Sequence, residues 1–571
     1  MPETNESLVK LITSRQSKLE NEKLNFNTRF QEVADYVAPH LDDILGNLQK
    51  GEKKGSKIYD GTAVGAAVLA ADGIHGYHVS PAFPWFKYLM NRKKANDLPI
   101  VRDFLQEIEF NMYMALSRSN FYSEMWSYIY GGFTIGSMAI YPEEDLAEGR
   151  IIFETVHPGE VFISENKYGE VDVLHRKRKR TARQLVQMFG EKNLTPAIVE
   201  VNKTQPFQEF EIINAVFPRE EYDDRMTDAK NKRFASVWLL TAGNVICRVS
   251  GFDYFPYHVW RYMKTGKEPY GISPAMLAMA DIKGINLMGK TLLGAAQLAI
   301  DPAYNIPDYL IGKVQLKPRG FNYMKNYQDR ITPVNTGGTF PIGIDREEAK
   351  QKSIRERFHV DTFLMLANLQ GQTQRTAYEV SELMAEKAAV LGAELGPLNT
   401  QLDQILDHVY NIELAAGRMP KPPDILYQMA AQDPHLRFDP VYMGPLAQAQ
   451  RERFSKDGIR KFFTDILPLV EIQLKSGQGA EILDNLDSDA AFRFLADSNN
   501  VPIEIVKEKD VVAAIRQSRL EAMQEQTQME NAQGAIQGLK TATEADKNTG
   551  GKLSEAMGQM MGGGGAASAA A

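Results

Sequence analysis

The chain has 571 residues, of which 43% are hydrophobic and 24% charged, and its formal net charge at pH 7 is −8. This length provides enough residues for several domains, and the composition is that of a soluble globular protein rather than a disordered or fibrous one. The negative balance argues against a general nucleic-acid coat, although it allows local basic patches.

Two features bear on the compartment and on membranes. The single cysteine, Cys247, permits neither an internal disulfide nor a cysteine-based metal cluster, so we expect assembly in a reducing compartment. The first residues lack the basic flank and apolar stretch of a signal peptide. No apolar run long enough to cross a bilayer is free of charge, so we expect no membrane span.

The N-terminal part is predicted to be mainly helical. Apolar residues recur at helical spacing between Glu3 and Val37, and a second helix rich in small residues covers Tyr59–Ala71. An aromatic loop with two prolines, Ser80–Phe86, leads to a further helix over Leu98–Ser117. Together with the strands that follow, these helices predict an α+β, helix-rich fold.

Between Phe133 and Val249 the pattern changes to short apolar or alternating runs that are typical of strands. The predicted strands include Ile151–Val156, Val161–Ile163, Val171–Leu174, Phe210–Val216 and Val237–Leu240. One helix, Ala182–Phe189 with Thr181 as its N-cap, interrupts them. The basic run Arg176–Arg180 fits either a nucleic-acid contact or a solvated edge strand protected by its charges, and we favour the edge strand.

A long helix is predicted over Ser273–Ile300, with Ser273 as N-cap, Pro274 as first helical residue and Asp301-Pro302 as the stop. Most of its residues are apolar or small. One narrow stripe is polar and includes two lysines, because helical periodicity aligns Lys283, Asn286, Lys290 and Gln297. Such a helix suits a wall that packs against copies of itself, with the stripe facing a solvated lumen.

The same helix contains a match to the P-loop pattern, Gly284 to Thr291. A P-loop follows a buried strand, because its backbone amides must wrap the phosphates. The preceding residues, Met276–Ala280, favour a helix instead, and the helical stripe continues through the match. We therefore interpret the match as accidental.

The next segment, Tyr304–Ile344, is punctuated by prolines and rich in cations. Its basic residues are Lys313, Lys317, Arg319, Lys325 and Arg330. A helix is predicted over Arg346–Leu366, followed by a polar link that includes Gln370, Gln372, Gln374 and Arg375.

The remaining chain is predicted to be helical. A capping-box spacing at Thr376–Glu379 opens a helix that runs to Ala416, with a kink at Gly396-Pro397. Helices continue from Pro445 to about Ala532, and a tail rich in glycine and alanine follows from Gly550, which we expect to be disordered.

Candidate metal and catalytic residues are weak throughout. His75 and His78 lie three residues apart but have few carboxylates nearby, and Asp484, Asp487 and Asp489 lack the glycine and glutamate of a calcium loop. No serine, cysteine or histidine lies in a nucleophile motif. We expect no catalytic residue, no metal and no cofactor.

Several segments, taken in order, resemble the head-to-tail connector (portal) proteins of short-tailed, T7-like bacteriophages. The matching segments are Tyr59–Ala71 leading to Ser80–Phe86, Gly131–Gly136, Phe255–Pro274 with Arg261, Thr376–Val380 and Tyr442–Arg451. They span about residues 5 to 455. No single motif is diagnostic, but the ordered set is fairly specific.

The resemblance implies a portal-type subunit with long stem helices, a small clip, an α/β wing and a helical crown. Its regions would be wing 1–272, first stem helix 273–300, clip 301–345, second stem helix 346–369, tunnel loop 370–375, kinked wing helix and return 376–450, crown 451–520, and C-terminal helix end and tail 521–571. The basic run Arg176–Arg180 departs from this pattern, since it is more basic than a wing strand of the family.

The resemblance also implies a dodecameric ring at one capsid vertex of the virion, assembled in the host cytoplasm around a channel for double-stranded DNA. Expected partners are the terminase, the major capsid protein, the scaffold and tail adaptor proteins. Two other readings stay open: a packaging-related nucleotide-binding enzyme that uses Gly284–Thr291, and a scaffolding or adaptor protein. The sheet region and the 54 aromatic residues (27 Phe, 23 Tyr and 4 Trp) argue against a scaffold, which would be mostly helical.

Overall fold

The computed structural model describes residues 5–444 apart from 42, 47–50, 224, 227, 316, 327, 329, 335–340 and 370–376, and farther along 466, 487, 489–493, 507, 511–526 and 529. Within them the fold is α+β and rich in helix, which confirms the predicted fold class. The chain separates into two compact units, Met1–Phe454 and Ser455–Ala571. None of the described helices is long and apolar enough to cross a bilayer.

The first unit alternates helices and strands along the chain. The helices are α1 (Asn5–Tyr36), α2 (Thr62–His78), α3 (Lys93–Asn96), α4 (Pro99–Arg118), α5 (Phe121–Thr134), α6 (Ala182–Phe189), α7 (Pro196–Thr204), α8 (Pro274–Ile300), α9 (Pro341–Arg357), α10 (Val360–Leu369), α11 (Ala377–Ala415) and α12 (Asp424–Gln432). The strands are β1 (Phe86–Met90), β2 (Ser137–Asp145), β3 (Arg150–Val156), β4 (Val161–Glu165), β5 (Val171–Thr181), β6 (Glu209–Pro218), β7 (Phe234–Leu240), β8 (Val245–Phe252), β9 (His258–Arg261), β10 (Tyr304–Asn305), β11 (Thr332–Pro333) and β12 (Phe438–Tyr442).

The largest sheet is antiparallel, in the order β4-β5-β6-β7-β8. Leu8 and Ile12 of α1 pack on one face, and α6 and α7 pack on the other through Leu185 and Ile198. Burial on both faces explains the nearly continuous apolar sequence of β7. The prediction that Arg176–Arg180 forms an edge strand is contradicted only at Arg176, which pairs with both β4 and β6. In the described register, Lys177–Arg180 extend beyond β4 and pair with β6 alone.

A smaller sheet, in the order β3-β2-β9, lies in the main core together with the aromatic residues of the N-terminal half. Trp85 is fully buried and stacks on Phe121 and Tyr442. Trp260 is also buried, so both tryptophans lie in the core. Cys247 is a free, buried thiol, and burial raises its pKa to about 11.

Several of the helix caps that the sequence predicts are present in the structure. Thr181 and Gln184 form a complete capping box at the start of α6. Helix α11 ends at Ala415, and Gly417 follows with a φ of +71°, a conformation that glycine adopts without strain. Pro397 lies inside α11, whereas Thr376, the residue predicted to cap it, lies outside the described residues.

The helix predicted over Arg346–Leu366 is divided in the structure. Helix α9 ends at Arg357 and α10 begins at Val360. His359 between them has a φ of +55°, so the helical hydrogen-bond ladder is interrupted there. Because neither glycine nor proline marks this break, no local signal predicted it.

Most of the second unit, including the glycine-rich tail, lies outside the described residues. Asp487 accepts hydrogen bonds from the backbone amides of Asp489 and Ala490, so it caps a short helical segment over 489–493. Arg516, in the helical segment 511–526, bonds both carboxylate oxygens of Asp489 at 2.6 Å. Asp487 and Asp489 therefore have structural roles at the ends of these helical segments.

Candidate nucleic-acid interface

Helix α8 starts at a firmly bonded residue. The Ser273 hydroxyl accepts a hydrogen bond from the amide of Met276 at 3.1 Å and donates one to the carbonyl of Thr134 at 2.5 Å. Pro274 occupies the first turn, where its missing amide costs nothing. The predicted bounds Ser273, Pro274 and Asp301 are confirmed.

Two glycine-containing motifs meet behind this start. Gly136 has a φ of +83°, and a Cβ there would lie 2.8 Å from both the carbonyl oxygen of Gly271 and the amide nitrogen of Ser273. The amide of Gly271 donates to the Ser137 hydroxyl at 2.7 Å. The segments Gly131–Gly136 and Phe255–Pro274, which carry part of the family resemblance, therefore form one joint that sets the direction of α8.

The two halves of α8 have different surroundings. Its buried residues all lie between Pro274 and Asn286, where α1, α2, α5 and α9 pack around it. The half from Leu287 to Ile300 has no buried residue, and Ile300 is 85% exposed. The helix thus projects from the core of the first unit.

The predicted polar stripe of α8 is only partly solvent-facing. Lys283 forms an ion pair with Glu32 of α1, and the Lys290 ammonium lies 5.7 Å from the centre of the Tyr59 ring. Gln297 is exposed. Asn286, in contrast, is 3% exposed and its side-chain oxygen accepts hydrogen bonds from the backbone amides of Tyr59 and Asp60.

The structure therefore contradicts the prediction that Asn286 lines a channel. Helical spacing showed that Asn286 shares a face with Lys283 and Lys290. It gave no information about the loop before α2, which covers this part of the face within the same subunit. Lys283, Lys290 and Gln297 keep exposed side-chain atoms, and the buried Asn286 does not.

The P-loop match, Gly284–Thr291, lies entirely within α8. Its backbone amides therefore belong to a helical hydrogen-bond ladder and do not converge on a common point, as phosphate binding requires. The residue at the lysine position of the motif, Lys290, stacks against Tyr59. The geometry of this segment is that of a helix and not of a phosphate-binding loop.

The predicted clip residues lie in a small unit closed by the antiparallel pair of β10 and β11. Its predicted cations are all exposed, namely Lys313, Lys317, Arg319, Lys325 and Arg330. The Lys325 ammonium lies 5.2 Å from the centre of the Tyr309 ring, and its backbone amide donates to the Tyr309 hydroxyl. Gln315 and Asn322 hold the intervening loop through two hydrogen bonds, of 2.6 and 3.1 Å.

Exposed apolar side chains lie among these cations, which sequence reasoning missed. Phe321 is 76% exposed, Tyr323 85% and Ile311 70%. Their exposure within the described residues is visible only in the structure. The clip therefore presents cations and aromatic rings on the same surface.

The predicted tunnel-loop residues, Gln370, Gln372, Gln374 and Arg375, lie outside the described residues.

Two arginines of the basic run of β5, Arg176 and Arg178, are buried and paired. Arg176 is 4% exposed and binds Glu154 through both terminal nitrogens, and its Nε donates to Glu160 at 3.0 Å. Arg178 also bonds Glu154, and Lys177 bonds Glu20 at 2.9 Å. Arg176, Lys177 and Arg178 therefore bind carboxylates of the same chain and are not free to contact a nucleic acid, whereas Lys179 is exposed.

Glu154 collects charge from three arginines of this run. It is half-buried, and although burial raises its pKa, the hydrogen bonds and charge of Arg176 outweigh that effect and lower the pKa to about 2. The same pairing raises the pKa of Arg176 above its ordinary value despite its burial. Both groups therefore stay ionised across the physiological pH range.

The histidine pair has structural partners. His75 Nε2 lies 3.0 Å from the carbonyl of Tyr122, and His78 Nε2 lies 2.6 Å from the side-chain oxygen of Asn399. Burial lowers the pKa of His78 to about 4. Within the described part of the chain, no group of three potential ligands is arranged to hold a metal ion.

Comparison with known proteins places these features in a family. The chain is 27% identical to the portal protein of Salmonella phage epsilon15 over 543 residues, covering 92% of this chain and 94% of that protein. It is 26% identical to the probable portal protein of Bordetella phage BPP-1 over 532 residues, covering 90% and 92% respectively. The sequence model of the bacteriophage head to tail connecting protein family matches residues 9–506. The chain belongs to the bacteriophage head to tail connecting protein family.

Proposed function

We propose that this protein forms a ring at one capsid vertex of the virion, through which double-stranded DNA is packaged and ejected. Portal function follows from the family match and from two relatives that are named as portal or probable portal proteins. The ring, its twelve subunits and the path of the DNA are our proposals. The features of α8 and of the clip support them.

A row of exposed leucines on α8 supports the ring proposal. Leu277, Leu287 and Leu298 are 49%, 67% and 52% exposed, and two small residues lie between each successive pair of them, at spacings of three and four: Ala280 and Gly284, then Thr291 and Gly294. This alternation is the one that lets two helices interlock along a seam. In an isolated subunit these leucines would be exposed to water. We therefore expect them to pack against a neighbouring copy, which would bury them.

The polar stripe of α8, which lies next to these leucines, supports the proposed path of the DNA. Lys283, Lys290 and Gln297 lie roughly a quarter turn away from the leucines on the helix. In a ring, each lysine would form a circle of positive charge that attracts DNA without reading its sequence and weakens as salt rises. Glu32 offsets part of the charge of Lys283, so Lys290 would attract DNA more strongly than Lys283 does.

The clip and the segment after α10 complete the proposed path. Lys313, Lys317, Arg319, Lys325 and Arg330 would bind the phosphate backbone at the narrow end, with the nearby exposed rings available for protein contacts. Gln370, Gln372, Gln374 and Arg375 would form a tunnel loop that grips the DNA. Expected partners are the terminase motor, the major capsid protein, the scaffold and the tail adaptors, met during assembly in the host cytoplasm.

Substitution of Leu287 tests the ring. Leu287→Glu places a charge in the middle of the proposed seam and should abolish closed rings in end-on negative-stain images, because a buried unpaired carboxylate is costly. Gln297→Glu puts the same charge on the neighbouring stripe and should leave rings intact. Rings of normal size in the Leu287→Glu protein, or monomers only in wild-type protein extracted from capsids, would contradict the proposal.

We also propose that the protein has no chemistry of its own and that a separate motor supplies the energy. Helical geometry at Gly284–Thr291 supports this, since a helix leaves no amides free to hold phosphates. Lys290→Ala should therefore leave any ATP turnover of the purified protein at the background rate. Turnover that disappears only in this variant would revive the nucleotide-binding alternative.

A further inference from the structure

Asp60, just before α2, bonds to three helices. Its backbone amide donates to Asn286 of α8 at 3.0 Å. One carboxylate oxygen accepts from the side chain of Gln351 of α9, also at 3.0 Å, and the other accepts from the amide of Thr62, the first residue of α2, at 2.8 Å. Three elements far apart in sequence therefore converge on one residue.

Asn286 has the central position in this arrangement. Its side-chain oxygen accepts from two consecutive amides, Tyr59 at 2.6 Å and Asp60 at 3.0 Å. Its side-chain nitrogen donates to the carbonyl of Ile282 at 2.8 Å, which fixes the orientation of the amide group. Because Asn286 is only 3% exposed, water does not readily replace these bonds.

Neighbouring contacts extend the attachment along α8. Lys350 and Ser353 of α9 bond the two carboxylate oxygens of Asp281 at 2.9 and 3.1 Å, which ties α9 to α8. On the other side, the Tyr59 ring lies under the ammonium of Lys290. The Tyr59–Asp60 segment thus reaches from the attached half of α8 to the first lysine of its projecting half.

We propose that Asn286, Asp60 and Gln351 are positioning residues that couple the start of α2 to both α8 and α9, so that the two helices cannot shift relative to α2 independently. The inference extends the proposed function, because α8 and α9 are stem helices only if the ring forms. It gives the polar stripe of α8 a second role. Lys290 would be held in place by the same segment that Asn286 secures.

Hydrogen exchange of the purified protein provides the test, since it requires neither ring nor DNA. Asn286→Leu keeps a side chain branched at Cγ but accepts no hydrogen bond, and it should speed exchange about tenfold or more at the amides of Tyr59 and Asp60. If the three helices are coupled, protection should also fall at the start of α2 and around Gln351. Asn286→Asp keeps an acceptor oxygen and should restore most of the protection.

Two further variants keep the test decisive. Gln351→Met removes only the bond from α9, yet coupling predicts faster exchange at Tyr59, whose amide is bonded to α8. Gln297→Leu makes the same amide-to-leucine change at an exposed site of α8 and should alter none of these amides. The proposal is overturned if each substitution affects only its own hydrogen bond, or if Asn286→Asp exchanges as fast as Asn286→Leu. Failure of the ring proposal would show in the images of Leu287→Glu and would leave this result unchanged.

Discussion

The basic run of β5 and the clip each contribute five cations, but the structure places them in opposite surroundings. In β5, the carboxylates of Glu20, Glu154 and Glu160 pair with Arg176, Lys177 and Arg178 within the same chain. In the clip, the five cations are exposed and aromatic side chains lie beside them. The comparison teaches that charge density in a sequence does not indicate a nucleic-acid contact until the positions of the acceptors are known.

Of the substitutions that test this comparison, one at Arg176 is expected to change stability most. Arg176→Leu removes a buried guanidinium and deprives Glu154 and Glu160 of their shared partner, so the free energy of unfolding of the first unit should fall by about 2–3 kcal/mol. The estimate is below that for a fully buried pair because Glu154 is 42% exposed and keeps Arg178. Urea denaturation followed by tryptophan fluorescence measures it.

Lys317→Leu is the matched control for Arg176→Leu. It removes one exposed cation from the clip and should change the unfolding free energy by less than about 0.5 kcal/mol. Equal losses in the two variants would show that the contrast between the clusters does not exist.

A smaller effect should appear in the pH dependence of stability. The native pKa of Glu154 is about 2, below its ordinary value of 4.5, so its ionised form stabilises the fold. That contribution is fully present above pH 4.5 and is lost as the pH falls toward 2. With allowance for its exposure, we expect about 1 kcal/mol to be lost over this range.

Glu154→Gln removes this titration. The variant should be less stable than the wild-type protein at pH 7, and the difference between them should shrink as the pH is lowered from 5 to 2. Thermal unfolding at a series of pH values measures both curves. Parallel curves would mean that Glu154 is not the group that the β5 cations hold ionised.

The smallest effect on stability, but a clear effect on binding, is expected in the clip. Lys317→Ala combined with Arg319→Ala should leave stability within about 0.5 kcal/mol of the wild-type value. Binding of a short DNA duplex to the assembled ring should weaken, and its logarithmic dependence on salt should become less steep, because fewer phosphate contacts release fewer counterions. Fluorescence anisotropy at several salt concentrations measures both. An unchanged salt slope would assign these cations to a protein partner.

Local chemistry accounts for what could be predicted from the sequence. The bounds of α8 follow from Ser273, Pro274 and Asp301, and the start of α6 from Thr181 with Gln184, because caps act within one helical turn. Four of the five strands of the largest sheet were also predicted, since each carries its own apolar pattern, whereas β8 was not among the predicted runs.

Relations between distant segments account for the errors. The strand order that makes β5 internal depends on its pairing with β6, and nothing in Arg176–Arg180 encodes that neighbour. The burial of Asn286 depends on a loop more than two hundred residues away. The helix is divided at His359 because this residue has a positive φ, and neither glycine nor proline marks the position in the sequence. In each case the missing information was which segment packs against which.

The state of Cys247 has a practical consequence. Because thiol-reactive dyes attack the thiolate, a buried thiol with a pKa of about 11 should remain unlabelled at neutral pH without being replaced. A cysteine introduced at an exposed clip position such as Tyr323 would then be the single reactive site of the 571-residue chain. One substitution is enough to place one fluorophore per subunit, so distances between labelled subunits become accessible to energy-transfer measurements in an otherwise native protein.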